Sequence, residues 1–303
     1  MRYLVTGGAG FIGSNIVKLL IKKGHSVDII DNLHTGTKEN IKEVIDKVNF
    51  FKIDIRDKKK LEKIFPNHDG IFHEAALTAV PESFEKPEEY YDVNVNGTKN
   101  IFEIAKKEGI RVVYASSSSI YGEVEKYPIS ENFIRNAINP YGQTKIDDEI
   151  LAEKFSKQGL SVIGLRYFNV YGIGQTGSYA GVISKFLDNI KMKTEFIVNG
   201  DGNQIRDFIS VIDIAKSNLV AMESKIHSGF YNVGTGKAVS INNLAELMIE
   251  LSKHKEGIRH KKGLKGDIKI SQADMTNTKK SLNWKHEIEL KDGLKDLIDK
   301  YFS

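Results

Sequence analysis

Two different periods of hydrophobic and polar residues alternate over the first half of the chain. Short apolar runs bounded by polar or glycine residues predict strands at 3–5, 27–30, 49–53, 70–73, 111–115 and 161–165. Apolar residues at helical spacing predict helices at 12–23, around 90–107 and at 140–157. Gly24 ends the first helix, and Asn139-Pro140 begins the last. Strands that alternate with helices indicate a parallel sheet covered by helices on both faces.

This regular alternation ends near residue 170. Glycines then cluster, and the polar stretches between apolar runs become longer. We therefore expect an α/β protein in which residues 1–170 form a Rossmann-like doubly wound parallel sheet. Residues 171–303 are expected to form a smaller α/β substrate-binding domain, and we leave open a return of later segments to the first domain.

Composition narrows the classes of function. The chain has 303 residues and a formal net charge of +4 from 44 basic and 40 acidic side chains. The sequence contains no basic block interleaved with aromatics, so we expect no nucleic-acid binding. The count of cysteines is 0, which excludes disulfides and cysteine-ligated zinc, and no two histidines stand four residues apart, so we expect no metal site.

Two further observations concern location. No apolar run approaches the roughly 20 residues that span a membrane. The first residues, Met1-Arg2-Tyr3, run straight into a predicted strand and leave no room for a signal peptide. We therefore expect no membrane partner and a cytoplasmic protein.

A glycine-rich turn follows the first predicted strand. Gly7, Gly10 and Gly13 stand three residues apart and lead into the first helix. The first glycine allows a tight turn, the second lets the backbone approach a pyrophosphate, and the third allows helix and strand to pack closely. A turn without a ligand is the alternative. The position at the start of a βαβ unit favours a dinucleotide site at the helix N-terminus.

The second predicted strand ends in a carboxylate. Asp31 lies 18 residues after Gly13, where it would accept hydrogen bonds from a ribose 2′-hydroxyl and repel a 2′-phosphate. The sequence shows no nearby arginine for such a phosphate, so we expect NAD rather than NADP; the alternative is a turn cap formed with Asn32. Asp54-Ile55 follows the third predicted strand, at the expected adenine edge. Ala75-Ala76 follows the fourth, and these small residues leave room for a cofactor.

A tyrosine and a lysine share one face of the predicted helix 140–157. Tyr141 and Lys145 are four residues apart. A free tyrosine is a poor base at neutral pH, but a neighbouring ammonium and a positive nicotinamide ring favour the phenolate. Such a tyrosine can take a proton from a sugar hydroxyl while hydride leaves the same carbon. The serine run 116–119 ends the preceding strand, at the sheet edge where ligands bind. An exposed helix pair and a polar loop are the alternatives, and the three features in this order disfavour them.

Together these segments resemble the extended short-chain dehydrogenase/reductases of the NAD-dependent epimerase/dehydratase family, and within them the UDP-glucose (UDP-galactose) 4-epimerases. The likeness extends over nearly the whole chain. It implies Ser117, placed relative to Tyr121-Gly122, as the catalytic serine, Tyr141 as the base and Lys145 as its partner. The expected NAD contacts are Gly7, Gly10, Phe11, Ile12, Gly13, Asp31, Asn32, Gly36, Asp54, Ile55, Ala75, Ala76, Asn94, Tyr141, Lys145 and Phe168.

The resemblance continues in the second half and implies a UDP-sugar. Asn169 matches a ligand of the sugar-nucleotide phosphates, Arg206 a ligand of the diphosphate, and Asp267 a ligand of the nucleotide ribose. The expected substrate contacts are Ser117, Tyr141, Asn169, Val182, Ile197, Asn199, Arg206, Asp267 and Ser271.

The chain departs from the family pattern before Asp267. Leu264 and Lys265 stand where the family usually has arginine and proline. Leucine cannot bind phosphate, so one diphosphate contact depends on Lys265 or Lys262, each a point charge rather than a fork.

Two other positions narrow the reaction and the substrate. The 4,6-dehydratases of the family carry aspartate and glutamate directly after the catalytic residue, and the decarboxylases usually carry the glutamate. Ser118 and Ser119 stand here instead, which disfavours both reactions. Ser271, four residues after Asp267, is small where a large aromatic would exclude a sugar N-acetyl group, so we expect N-acetylhexosamines to enter as well.

The function implied is an NAD-dependent 4-epimerase that interconverts UDP-glucose and UDP-galactose, with their N-acetylated counterparts as further substrates, through a transient 4-keto intermediate. An epimerase of another nucleotide sugar such as UDP-glucuronate, a net dehydrogenase that releases NADH, and a non-catalytic NAD-binding regulator are alternatives. Tyr141 and Lys145 argue against the regulator. Because the family commonly pairs helices matching 90–107 and 141–157, we expect a homodimer.

Overall fold

The computed structural model describes residues 1–175, 181–263 and 268–302. Its central element is a seven-stranded sheet in which every neighbouring pair is parallel. Its strands are β1 (Arg2–Thr6), β2 (Ser26–Asp31), β3 (Val48–Lys52), β4 (Gly70–His73), β5 (Arg111–Ser117), β6 (Val162–Tyr167) and β10 (Ser228–Val233). The order across the sheet is β10-β6-β5-β4-β1-β2-β3. Strands β1 to β3 are added toward one edge of the sheet and β4 to β6 toward the other, so the strand order reverses between β1 and β4. Ligands of such sheets bind at that reversal.

Helices cover both faces of this sheet. Along β1, Tyr3 and Val5 face one apolar core with α1 (Phe11–Lys22) and α8 (Val211–Glu223). Leu4 faces the other core, together with three helices: α2 (Lys58–Ile64), α5 (Gly97–Glu108) and α6 (Pro140–Ser156). This two-residue alternation across a doubly covered sheet confirms the predicted Rossmann-like fold.

The segment between β4 and α5 is more irregular than the predicted long helix. It contains α3 (Val80–Glu85), α4 (Pro87–Tyr91) and a π-helical turn (Asp92–Asn96) that leads directly into α5. Gly109 ends α5 in the left-handed conformation, with φ 70°. Further on, Asn139 caps α6, because its side-chain oxygen accepts a hydrogen bond from Gly142 N at 2.8 Å.

A smaller core lies in the second half of the chain. Phe186, Phe196, Leu244 and Leu297 belong to it and are buried. Its elements and the remaining ones are β7 (Asn169–Tyr171), α7 (Val182–Met192), β8 (Phe196–Asn199), β9 (Ile205–Ser210), β11 (Ala238–Ser240), α9 (Ile241–Ser252), β12 (Ile258–Lys261), β13 (Ile270–Ser271), α10 (Thr276–Leu282) and α11 (Leu290–Phe302). Strand β9 pairs with β7, β11 and β13, and β8 pairs with β12.

The chain returns from the second half to the first. Helix α8 packs against α1, and β10 adds to the edge of the large sheet beside β6. The boundary near residue 170 remains a prediction. Among the helices of the described ranges, none is long and apolar enough to cross a membrane.

Candidate functional site

A pocket opens at the carboxyl ends of the central strands, where the sheet order reverses. Fifteen of the predicted site residues line it: Gly7, Gly10, Phe11, Ile12, Gly13, Asp31, Asn32, Asp54, Ile55, Ala75, Ala76, Ser117, Tyr141, Lys145 and Phe168. The structure thus brings the glycine turn, the carboxylate after β2 and the Tyr/Lys pair to one cavity.

The glycine turn is tight because its backbone approaches itself and β4. Gly7 has φ 68°, and a Cβ on it would lie 2.7 Å from Ala75 N. A Cβ on Gly13 would lie 2.1 Å from Gly7 O. Side chains at these positions would therefore force the turn apart.

The start of α1 suits an anion. Gly10, its N-cap, offers no side-chain hydrogen bond to the first turn, which contains no acidic residue. The N–H groups of that turn and the positive end of the helix are therefore free of a competing side-chain acceptor. This arrangement fits the pyrophosphate of a dinucleotide.

Asp31 holds together the loops that follow β1 and β2 at one end of the pocket. Its Oδ2 accepts from Ala9 N at 3.0 Å, and its Oδ1 accepts from Leu33 N at 2.7 Å. Burial raises the pKa of Asp31, while these two N–H donors oppose the rise. Gly36 does not line the pocket; a Cβ there would lie 3.0 Å from Asp31 Oδ2, so Gly36 packs behind the carboxylate.

An arginine that the sequence interpretation did not place nearby also lines this end. Arg56 lies beside Asp54, with Nε to Oδ1 at 2.9 Å and Nη2 to Oδ2 at 2.8 Å, and it reaches Asp92 at 3.1 Å. Hydrogen bonds from Arg56 hold the pKa of Asp54 at about 2. Because the guanidinium is already bonded to two carboxylates, it does not provide a binding site for a 2′-phosphate.

Helix α6 carries the Tyr/Lys pair into the pocket. The Lys145 ammonium is buried and donates to Ala115 O and to Asp148 Oδ2, both at 3.1 Å. Ser117 ends β5 and also lines the pocket, so its hydroxyl lies in the same cavity as Tyr141. A phenol, an ammonium and a serine hydroxyl therefore line the same cavity.

Glu74 is a pocket residue whose chemistry sequence reasoning missed. Its Oε1 accepts from the Tyr167 hydroxyl at 3.0 Å, and Tyr167 in turn accepts from Asn218 at 2.7 Å. Burial raises the pKa of Glu74 to about 8, opposed by Tyr167 and the Lys145 charge. The signal in the sequence was its position after β4, at the edge where the other site residues lie.

A buried charge network lies behind the end of β5, next to Ser117. Ser116 donates to Glu149 at 2.6 Å, and Arg166 makes two hydrogen bonds of 2.8 Å to the same carboxylate. Arg135 adds a third cationic contact at 3.2 Å. Since Ser116 precedes Ser117, this network anchors the end of β5 to α6.

Asn94 lies behind the pocket wall rather than in the lining. It is fully buried, accepts from Leu77 N at 2.8 Å and donates to Leu77 O at 3.0 Å. It also donates to Thr144 Oγ1 at 3.0 Å. The side chain thereby ties the segment after β4 to α6.

The predicted substrate residues outside the pocket belong to the second half of the chain. Asn169 is in β7, which pairs with β9, and Arg206 is in β9 between Val239 and Ser271. Val182 starts α7, while Ile197 and Asn199 lie in β8. Asp267, Leu264 and Lys265 fall outside the described residues. Within the ranges that the structure describes, no group of three acidic or histidine side chains is arranged to hold a metal ion.

Comparisons with known proteins agree with this geometry. Residues 3–234 match the NAD dependent epimerase/dehydratase family. A Methanocaldococcus jannaschii protein to which UDP-glucose 4-epimerase activity is attributed is 42% identical over 305 residues, covering 98% of this chain and 97% of its own.

Two solved structures superpose closely. UDP-glucose 4-epimerase from Thermotoga maritima, with UDP-glucose, has a TM-score of 0.95 and 35% identity and covers 100% of this chain and 98% of its own. UDP-N-acetylglucosamine 4-epimerase from Methanobrevibacter ruminantium, in complex with UDP-N-acetylmuramic acid, has a TM-score of 0.95 and 36% identity, covering 99% and 97%.

Proposed function

Because the chain belongs to the NAD-dependent epimerase/dehydratase family, we propose that it is a UDP-hexose 4-epimerase. Its substrates on this proposal are UDP-glucose and UDP-galactose, together with their N-acetylated counterparts. The observation that carries the proposal is the convergence of Ser117, Tyr141 and Lys145 on the pocket that also contains the glycine turn.

The residues of the chain divide the work of the reaction. Tyr141, which shares the pocket with the Lys145 ammonium, takes the proton of the sugar 4-hydroxyl, while Ser117 donates a hydrogen bond to the same oxygen. NAD would be held by the glycine turn and Asp31 and would supply a hydride acceptor and donor for carbon 4, so that the reaction involves no net oxidation. Tyr141 then gives the proton back to the 4-oxygen. Because the hydride reaches carbon 4 from the opposite face of the 4-keto sugar, the product is the 4-epimer.

The second half of the chain supports the choice of substrate. Arg206 and Asn169 lie on neighbouring strands, and the guanidinium of Arg206 offers a charged fork suited to a diphosphate. Ser271 pairs with Arg206 in the sheet and is small, which leaves room beside the sugar. When the diphosphate is bound firmly and the sugar makes few contacts, the 4-keto sugar can rotate and present either face to the cofactor.

The test is turnover by the purified protein without added NAD. UDP-galactose and UDP-N-acetylgalactosamine are supplied separately, and the products are resolved by chromatography. We expect both 4-epimers, loss of activity in Tyr141→Phe and Lys145→Met, and unchanged activity in the control Tyr127→Phe, an exposed tyrosine. No turnover of either sugar, even with NAD supplied, would refute the substrate assignment.

The exposed apolar residues of two helices support a homodimer as part of this proposal. Tyr91 of α4 is 48% exposed, and Ile150 of α6 is 50% exposed. Helices α4 and α6 pack against each other, so both side chains belong to the surface on which the expected pairing of helices would occur. Light scattering at micromolar concentration tests the dimer, and fractionation tests the cytoplasmic location expected from the sequence.

A further inference from the structure

A buried carboxyl lies against the ammonium of Lys145. Asp148 follows it by three residues on the same face of α6, with Oδ2 3.1 Å from Nζ. The side chains are 5% and 0% exposed for lysine and aspartate. The reaction proposed above does not use this carboxyl.

We propose that Asp148 is a positioning residue that orients the Lys145 ammonium and keeps it charged. The proposal rests on the catalytic role assigned to Lys145 in the proposed function. It assigns no contact between Asp148 and a ligand, because Asp148 does not line the pocket.

The orientation follows from counting donors. A lysine ammonium has three N–H groups. Ala115 O takes one at 3.1 Å, and Asp148 Oδ2 takes another at the same distance. Since Lys145 lines the pocket, one N–H remains for Tyr141 or for a bound ligand.

Whether Lys145 is charged depends on the balance between its burial and its ion pair with Asp148. Burial of an ammonium favours its neutral form, and a neighbouring carboxylate favours the charged form. For Lys145, burial lowers the pKa, but Asp148 and Tyr141 more than offset this, and the net pKa is raised. For Asp148, burial raises the pKa to about 6 against the opposing charge of Lys145, so the carboxylate is ionised at neutral pH.

The other groups around the pair do not replace Asp148. The Thr98 hydroxyl, from α5, lowers the pKa of Asp148, while Asp147, its neighbour on α6, raises it. Tyr114, on β5, has a pKa well above its ordinary value because of burial and is neutral. At the end of β4, burial lowers the pKa of His73 to about 3, so this imidazole is neutral. Burial raises the pKa of Glu74 to about 8, and Glu74 also raises the pKa of Lys145, but less than Asp148 does.

A purely structural role does not account for the pair. The two residues are one turn apart on a single helix, so the ion pair itself joins no two elements of the fold, and the contacts to other elements, Lys145 with Ala115 O and Asp148 with Thr98, are separate from it. Burying a carboxylate costs free energy that an apolar residue at the same position would not cost. The benefit therefore lies at the ammonium.

The experiment measures the ionisation of Lys145 directly. Protein labelled with ¹³Cε-lysine is titrated by NMR, and the Lys145 resonance is identified by its loss in Lys145→Arg. In Asp148→Asn we expect the midpoint of Lys145 to fall by at least one pH unit, about a tenfold loss of proton affinity. The matched control is Asp147→Asn, which removes a carboxylate from the adjacent, half-exposed position and should leave the midpoint unchanged. Asp148→Glu keeps the negative charge, so the midpoint of Lys145 should be close to that of the unmodified protein.

Activity gives the second readout. With UDP-galactose, the alkaline limb of the kcat profile of Asp148→Asn should move to lower pH by the same amount, at unchanged KM. An unchanged NMR midpoint would overturn the proposal. If Asp148→Asn does not fold, Asp148→Ser provides the same comparison. Absence of turnover in the unmodified protein would refute the proposed function, while the NMR midpoint would still decide whether Asp148 keeps Lys145 charged.

Discussion

The hydroxyl of Ser119 lies 2.7 Å from the hydroxyl oxygen of Ser117, and the backbone N–H of Ser119 lies 3.2 Å from the same oxygen. A serine oxygen has two lone pairs and one proton. When Ser119 fills both lone pairs, the Ser117 proton is left for an acceptor in the pocket. On the proposed mechanism that acceptor is the 4-oxygen of the sugar.

Ser119→Ala should therefore lower kcat by about two- to tenfold, the usual effect of one hydrogen bond, without changing KM. Ser119→Thr keeps the hydroxyl and should recover the activity. The decisive comparison is the double variant, measured by steady-state kinetics. In a Ser117→Ala background the Ser119 substitution should have no further effect, and an equal loss in both backgrounds would show that Ser119 acts independently of Ser117.

Asp31 should matter for the cofactor through the loops that it holds. Asp31→Asn replaces one of the two oxygens that accept from Ala9 N and Leu33 N with a donor. Loss of such a charge-assisted hydrogen bond costs about 1.5–3 kcal/mol, so NAD affinity should fall at least about tenfold. Calorimetric titration of the apo protein with NAD measures this. Asp46→Asn, at an exposed position on the opposite edge of the sheet, should bind NAD normally.

Ser271 should decide whether N-acetylated sugars are accepted. Ser271→Tyr places a large side chain next to Arg206 in the sheet, and on the proposed function this side chain would fill the space of the N-acetyl group. We expect kcat/KM for UDP-N-acetylgalactosamine to fall at least about tenfold, which is about 1.4 kcal/mol, with UDP-galactose little affected. Ser271→Ala should retain both activities. Equal losses on the two substrates would contradict a role in selecting the sugar.

Glu74 should make the stability of the protein depend on pH. Its pKa is about 8 in the folded protein and about 4.5 in the unfolded chain. Between these values the folded protein holds a proton that the unfolded chain has released, so the contribution of Glu74 to stability is fully present below about pH 4.5 and declines up to about pH 8. Glu74→Gln removes this dependence while keeping an acceptor for Tyr167.

Thermal unfolding at pH 5 and pH 8 measures the effect. The fall in Tm between the two conditions should be smaller in Glu74→Gln than in the unmodified protein, by about 2–4 °C for each kcal/mol removed. Glu246→Gln, an exposed position on α9, should reproduce the behaviour of the unmodified protein. Identical pH dependence in all three proteins would show that Glu74 is ionised at neutral pH.

The features that sequence predicted well are local ones. Alternating side chains define β1, and Asn139-Pro140 defines the start of α6, because each depends on residues close in the chain. The convergence of Gly7, Tyr141 and Ser117 was also predictable, since parallel strands bring their carboxyl ends to one edge of the sheet.

What sequence could not supply depends on contacts between distant segments. Arg56 is 25 positions from Asp31 in the sequence, yet it reaches the same end of the pocket because β2 and β3 are neighbours. The neutral state of Glu74 depends on burial beside Tyr167, 93 positions away. Asn94, which was expected on the cofactor, makes hydrogen bonds to Leu77 and Thr144 that the sequence did not indicate, and its role toward the cofactor stays a prediction. The roles expected for the remaining site residues, Asn169 and Arg206 among them, stay predictions.

Strand β10 determines when the protein can finish folding during its synthesis. The seventh strand and the helix that covers α1 both come from residues 211–233. A nascent chain that has emerged only to residue 170 therefore presents β6 as an open edge and leaves an apolar face of α1 uncovered. Open edges and bare apolar faces promote aggregation. The cofactor half should thus become protease-resistant on the ribosome only after residue 233 has left the exit tunnel, and a chain cut at residue 170 should not fold by itself.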